Sequence, residues 1–167
     1  MIRPEDIERA AGRKSNENMR FRRFLKMNAD PDKLDEQFKE LHKELFSEYD
    51  CSKCRNCCRM LGCCIDGREI RGMSGSLGMT PKEFKDKYLT ENRDDPDTYL
   101  SRSVPCVFLN EDGSCLLGDD KPEDCRDYPY TMRPDRMGSL LAILDNAAVC
   151  PVVFEMLDRL KRIYRFR

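Results

Sequence analysis

At 167 residues the chain is long enough for one domain, and its apolar content of 40% falls below the roughly 45–50% of an average soluble domain while 37% is charged. A formal net charge of −1 gives no strong electrostatic case for nucleic acid or an anionic membrane as partner. Part of such a chain is expected to fold around something other than hydrocarbon, and its ten cysteines point to metal, whose binding free energy becomes folding free energy.

The opening stretch MIRPEDIERAAGRKSNENMR has no apolar region of the kind a secretory signal needs. No segment approaches the roughly 20 apolar residues of a membrane span. The cytoplasm is therefore the expected compartment. There, clustered cysteines serve as metal ligands or catalytic groups more often than as disulfides. One domain over residues 1–167 is expected, with a helical segment 1–50 packing on a cysteine-cluster region 51–167.

In chain order, residues 4–14 read as a short helix, with Pro4 in its first turn and Ile7, Ala10 and Ala11 on one face. A second piece is expected over Asn18–Met27, apolar at Phe21, Phe24 and Leu25 and basic at Arg20, Arg22, Arg23 and Lys26. That basic side reads as a solvated helix face, with docking to an acidic partner as the alternative. The third helix is the clearest. Asp30 caps it, Pro31 opens it, and Leu34, Phe38, Leu41 and Leu45 recur with helical spacing up to about Tyr49. The only histidine, His42, lies beside this stripe, and a single histidine excludes a Cys2His2 zinc finger.

The helix delivers the chain into CSKCRNCCRMLGCC, residues 51–64. The following IDGREIRGMSGSLGMT reads as irregular chain or weak helix, and Thr80-Pro81-Lys82-Glu83 as a capped helix start running to about Leu89. ENRDDPD is a surface loop. Residues 106–117, PCVFL-NEDGS-CLL without the proline, read as a β-hairpin turning at Asp112-Gly113. A turn follows at Lys121–Pro129. Ser139–Leu144 is strand or buried helix, and Cys150-Pro151 opens a last helix with Val152, Met156, Leu160 and Ile163 as its apolar stripe. The architecture expected is mainly α with a short β-hairpin, a small metal-centred domain of roughly five helices.

The chemistry lies in the cysteines. Two residues between cysteines let the chain bend so that both sulfurs face one point, as in zinc knuckles. Here Cys51, Cys54 and Cys57 continue the spacing in series, and Cys58 follows at once. Series of this kind, with a remote Cys-Pro such as Cys150-Pro151, resemble the bacterial ferredoxins that hold [4Fe–4S] clusters. The ferredoxin run would place its fourth cysteine at position 61, where this chain has Leu61. Cys57 and Cys58 project in different directions, so they bridge neighbouring metals or serve different sites.

Together, CSKCRNCC, PCVFLNEDGSCLLGDDKPEDCRDYP and the later Cys-Pro resemble the CxxCxxCC family, the YkgJ-like cysteine-cluster proteins described as zinc- or iron-chelating domains. The resemblance extends over nearly the whole chain. It implies metal ligation by Cys51, Cys54, Cys57, Cys58, Cys106, Cys115, Cys125 and Cys150, with Phe108, Leu109, Pro122, Arg126, Tyr128 and Pro129 matching the second motif. Two features depart from the pattern: Lys121 stands where the family has arginine, and Cys63-Cys64 is an addition read as non-ligand.

An iron–sulfur cluster or zinc is the implied cofactor, because all-thiolate sites select both. Arg55, Arg59 and Arg126 are placed to offset thiolate charge. The leading reading is a cytoplasmic metal-binding protein. Relatives of the domain occur in flagellin lysine N-methylases, so an enzyme subunit using the metal centre for redox or methyl-transfer chemistry is a second reading. No Gly-rich nucleotide loop accompanies it. A third is an interaction module stapled by metal, with the basic helix face contacting a protein partner.

Overall fold

The computed structural model describes all of residues 1–167. Its helices are α1 (Ile7–Asn28), α2 (Pro31–Ser47), α3 (Cys51–Cys54), α4 (Asn56–Met60), α5 (Ile70–Ser76), α6 (Pro81–Tyr88), α7 (Glu123–Asp127), α8 (Leu140–Asn146) and α9 (Pro151–Ile163). Strands β1 (Cys64–Asp66), β2 (Leu89–Glu91) and β3 (Thr98–Ser101) form one antiparallel sheet in the order β1-β3-β2. The chain is mainly helical, as expected, but its helices are more numerous than the roughly five read from apolar periodicity, because several are single turns too short to show a period. No helix is long and apolar enough to cross a membrane. The chain forms two compact units, Met1–Asp50 with Pro129–Arg167, and Cys51–Tyr128.

The first unit is helical. The pieces expected at 4–14 and Asn18–Met27 are one helix of 22 residues. Its buried stripe runs Ile7, Ala10, Ala11, Asn18, Phe21 and Leu25, and Lys14, which interrupts the apolar pattern, lays its ammonium 5.0 Å from the Phe154 ring centre. Packing along this stripe outweighs the helix-weakening of Gly12, which is about 1 kcal/mol relative to alanine. In α2 the Asp30 carboxylate accepts the Lys33 amide at 2.9 Å, and Leu34, Phe38, Leu41 and Leu45 are all buried. Ser139–Leu144 resolves as helix α8. The stripe of α9 is wider than expected: Val153, Phe154 and Leu157 are buried beside Val152, Met156 and Leu160, while Ile163 is exposed. Phe21 meets Phe166 at 5.0 Å between ring centres, and the Tyr164 hydroxyl donates to Gln37 at 2.8 Å. The loop before α8 is tied to α2 by Asp35, which accepts the amides of Asp135 and Arg136.

The second unit is built from short pieces around a small apolar cluster of Ile65, Ile70, Met73, Phe84, Tyr88, Leu89, Phe108 and Leu117, with Cys63 among them. Phe84 stacks on Phe108 at 5.7 Å. The start of α6 is a full capping box between Thr80 and Glu83, as the sequence predicts. The ENRDDPD loop joins β2 to β3, whose register pairs Leu89 with Ser101 and Glu91 with Tyr99. This sheet was not expected, since strands of three or four residues leave no alternation to read. The hairpin expected at 106–117 is reduced to a single antiparallel bridge, Leu109 to Cys115. Its turn is as read: Gly113 adopts φ +84°, a left-handed conformation that favours glycine, and Asp112 accepts the Ser114 amide at 2.8 Å.

Candidate metal centre

The cysteine run folds as two single helical turns. Cys51 to Cys54 make α3, Arg55 turns the chain with a left-handed φ of 49°, and Cys57 and Cys58 lie on α4. A non-glycine residue rarely adopts this conformation. Arg55 is held there on both sides, its amide donating to the Cys51 carbonyl at 3.1 Å and its carbonyl accepting from the Arg59 amide at 3.1 Å. The C-x2-C-x2-C spacing thus becomes a reversal that repeats a cysteine at each turn. Cys51 is exposed, while Cys54, Cys57 and Cys58 are half-buried. The Cys57 and Cys58 side chains, though adjacent in sequence, hydrogen-bond to one another.

A second group of sulfurs comes from three further segments. Cys63 leads into β1 and is only 4% exposed. Its amide donates to the Ser101 hydroxyl at 2.9 Å, and its carbonyl accepts the Ser101 amide at 2.9 Å. Glycine is required just before it, because a Cβ at position 62 would stand 2.6 Å from the Ser101 hydroxyl. The Cys63 thiol lies within electrostatic range of those of Cys106 and Cys125, and Cys106 and Cys115 pack against the apolar cluster that contains it. Cys106 is in turn fixed to the run, its amide donating to the Cys58 carbonyl at 2.8 Å. Cys64 faces the other way, as successive strand residues do. Its amide donates to the Asp124 carboxylate at 3.0 Å, which ties α7, the helix of Cys125, to β1. Cys115 lies within electrostatic range of Cys58, Cys106 and Cys125.

Within the unit Cys51–Tyr128 the structure therefore brings Cys58, Cys106, Cys115 and Cys125 together with Cys63, and joins Cys57 to them through Cys58. Cys51 and Cys54 occupy the preceding turn of the same run. Cys150 belongs to the helical unit, where it is buried at the start of α9 with its amide donating to the Asn146 carbonyl at 2.7 Å. His42 also lies in the helical unit, hydrogen-bonded through Nδ1 to the Thr131 hydroxyl at 2.8 Å and packed on Phe46. Cys63, read from the sequence as a non-ligand addition together with Cys64, lies on the same inward face as the fully buried Ile65.

Charge is arranged to favour thiolate at particular sulfurs. The hydrogen bond from Cys57 lowers Cys58 to a pKa of about 6, against its burial and with help from Arg55, Lys121 and Arg59. The hydrogen bond from Cys63 lowers Cys106 to about 7, with the Phe108 amide and the Ser101 hydroxyl assisting. Cys63, the partner in that contact, is raised by its bonds to Cys106 and Cys125 and by burial. Burial also raises Cys115. Of the basic residues expected to offset thiolate charge, Arg55 and Arg59 do so, joined by Lys121. The Arg126 guanidinium instead donates to the Lys121 carbonyl at 2.5 Å and lies 3.4 Å from Glu69.

The donor set suits a soft, thiolate-binding metal: sulfur from several segments, no histidine, and cations nearby. As the side chains stand, no three of the chain's Cys, His, Asp and Glu groups converge on one point closely enough to hold an ion. Ligation therefore requires loss of the thiol protons and rotation of the side chains toward a common centre.

A family model described as "CxxCxxCC: Putative zinc- or iron-chelating domain" matches residues 50–151. No curated protein and no solved structure matches the chain.

Proposed function

Because the chain belongs to the CxxCxxCC family of zinc- or iron-chelating domains, we propose that it is a cytoplasmic protein whose cysteines hold an iron–sulfur cluster, with zinc as the competing occupant. The observation that carries this reading is the sulfur network of the Cys51–Tyr128 unit. Cys57, Cys58, Cys106, Cys115 and Cys125 interact there, more thiols than the four of a single tetrahedral ion. The three cysteines in series at positions 51, 54 and 57 favour iron–sulfur over zinc, by the spacing such clusters use.

On this reading Cys51, Cys54, Cys57, Cys58, Cys106, Cys115 and Cys125 are ligands, and the family resemblance alone adds Cys150 as the eighth. Arg55, Arg59 and Lys121 hold the thiolate form of Cys58 by their charge. Bound iron–sulfur would supply one-electron chemistry, and bound zinc a structural clasp without redox activity.

Anaerobic purification followed by iron, sulfide and zinc analysis, with an electron paramagnetic resonance spectrum after reduction, tests the proposal. Stoichiometric iron and sulfide with a reduced-cluster signal are expected. Stoichiometric zinc without that signal would replace the iron–sulfur assignment, and a folded protein with neither metal would overturn the proposal.

A further inference from the structure

The Cys51–Tyr128 unit contains one buried sulfur that the family pattern does not use. We infer that Cys63 is a metal ligand, completing with Cys106, Cys115 and Cys125 a four-sulfur set and taking the place that the resemblance gives to Cys150. The inference rests on the metal-binding reading above and sharpens it, because it moves the eighth ligand from one residue to another.

Position is the first argument. Cys63 is pinned by two backbone-level hydrogen bonds to Ser101 at 2.9 Å each, an approach that position 62 permits only as glycine. So fixed, its side chain sits in the apolar cluster against which Cys106 and Cys115 pack, within electrostatic range of Cys106 and Cys125, two residues read as ligands on independent grounds. These three sulfurs come from segments about 20 to 60 positions apart in the chain, brought together by the β1–β3 pairing and by the Asp124 bond to the Cys64 amide. A cysteine serving only as a small apolar filler needs no such neighbours. Neighbouring thiols are also the groups that a soft cation ligates when it displaces their protons.

Number is the second. The unit Cys51–Tyr128 holds Cys51, Cys54, Cys57, Cys58, Cys63, Cys106, Cys115 and Cys125 besides Cys64. That is two sets of four without any sulfur from the helical unit: four on the run and four on the later segments. Cys58, within electrostatic range of Cys106 and Cys115, makes the two sets adjoin. Cys64 is excluded by its opposite direction on β1.

The test uses the full chain purified with its metal, in wild type and in Cys63→Val, Cys63→Ser, Cys64→Ser and Cys150→Ser. X-ray absorption at the metal edge counts sulfur neighbours, elemental analysis gives metal per chain, and metal transfer to a chelator gives lability. All are read on the soluble folded fraction. Both Cys63 variants are expected to lose sulfur coordination or metal content, and to release metal at least about tenfold faster, the lower end of what losing even an outer-shell partner costs. Cys64→Ser and Cys150→Ser are expected to match wild type. Valine fills an apolar site well, so a Cys63→Val protein with the wild-type sulfur count and release rate would overturn the inference. So would rescue by Cys63→Ser with the sulfur count intact, which would make Cys63 a hydrogen-bond donor to the ligands. Loss of sulfur in Cys150→Ser but not in Cys63→Val would return the eighth ligand to Cys150 and leave the proposed function standing. A wild-type protein without metal would instead overturn both.

Discussion

The two units of this chain are stable for different reasons. The helical unit has α1, α2 and α9, of 22, 17 and 13 residues, each with an apolar stripe buried on its neighbours. Helices of such length still draw most of their stability from packing, and here packing is ample. The Cys51–Tyr128 unit has no helix longer than the eight residues of α6 and no strand longer than the four of β3. Pieces of that size are not stable by themselves. They are held by one small apolar cluster, by side chains bonded to backbone such as Asp124 and Glu69, and by the sulfurs. The contrast teaches that long apolar stripes carry one unit, whereas the other has only short pieces around a small apolar cluster.

Removal of metal is the strongest way to break this contrast. Structural zinc sites contribute about 10–16 kcal/mol of apparent binding free energy in zinc-finger peptides, far more than any one side chain here. After chelation, amide hydrogen exchange should accelerate across Cys51–Tyr128 while α1, α2 and α9 keep their protection. Unchanged protection in α5 and α6 would mean that the cluster around Phe84 holds that unit unaided.

Aromatic truncations probe the same difference more gently. Phe38 and Phe84 are both fully buried, one in each unit, and Phe→Ala in a core costs about 3–5 kcal/mol. Phe38→Ala should lower the melting temperature while leaving metal per chain at its wild-type value. Phe84→Ala removes the partner of Phe108, two positions beyond Cys106, and should lower both. Thermal melts paired with metal analysis check this. Equal metal content in the two variants would show that the apolar cluster does not position the sulfurs.

What the sequence revealed follows the same division. The α2 stripe, its Asp30 cap, the Thr80–Glu83 capping box and the proline start of α9 were all legible, because each is a local rule repeated over enough residues to be seen. The sheet was not, since three-residue strands have no period. Nor was the continuity of α1, where Lys14 and Asn18 sit at positions the stripe would give to apolar residues. At the candidate site, spacing identified the run and family resemblance the later cysteines. Cys63 and Cys64 read as one extra pair, while the strand points the two side chains opposite ways. The bonds from Ser101 and Asp124 that distinguish them join residues about 38 and 60 positions distant, beyond any local pattern.

The smallest expected effect is electrostatic and lies in the helical unit. Burial holds His42 below the ordinary imidazole pKa of 6.5, and its neutral ring is hydrogen-bonded to Thr131 and packed on Phe46. The unfolded chain therefore takes up a proton at a higher pH than the folded one. The stability contributed by neutral His42 is complete above pH 6.5 and is lost as pH falls through the folded pKa. Cys58 and Cys106, lowered to about 6 and 7, also lose stabilisation as pH falls, but in the other unit, so a global melt would blend the three. As the only histidine, His42 gives a single Cε1 proton resonance, whose titration midpoint should lie below 6.5. His42→Gln, which keeps a hydrogen-bonding side chain toward Thr131, should flatten the pH dependence of amide protection in α2 below pH 6.5 while leaving that of α5 and α6 as it was. A midpoint at or above 6.5, or a slope in α2 that survives the substitution, would place the acid sensitivity of the helical unit elsewhere than at this ring.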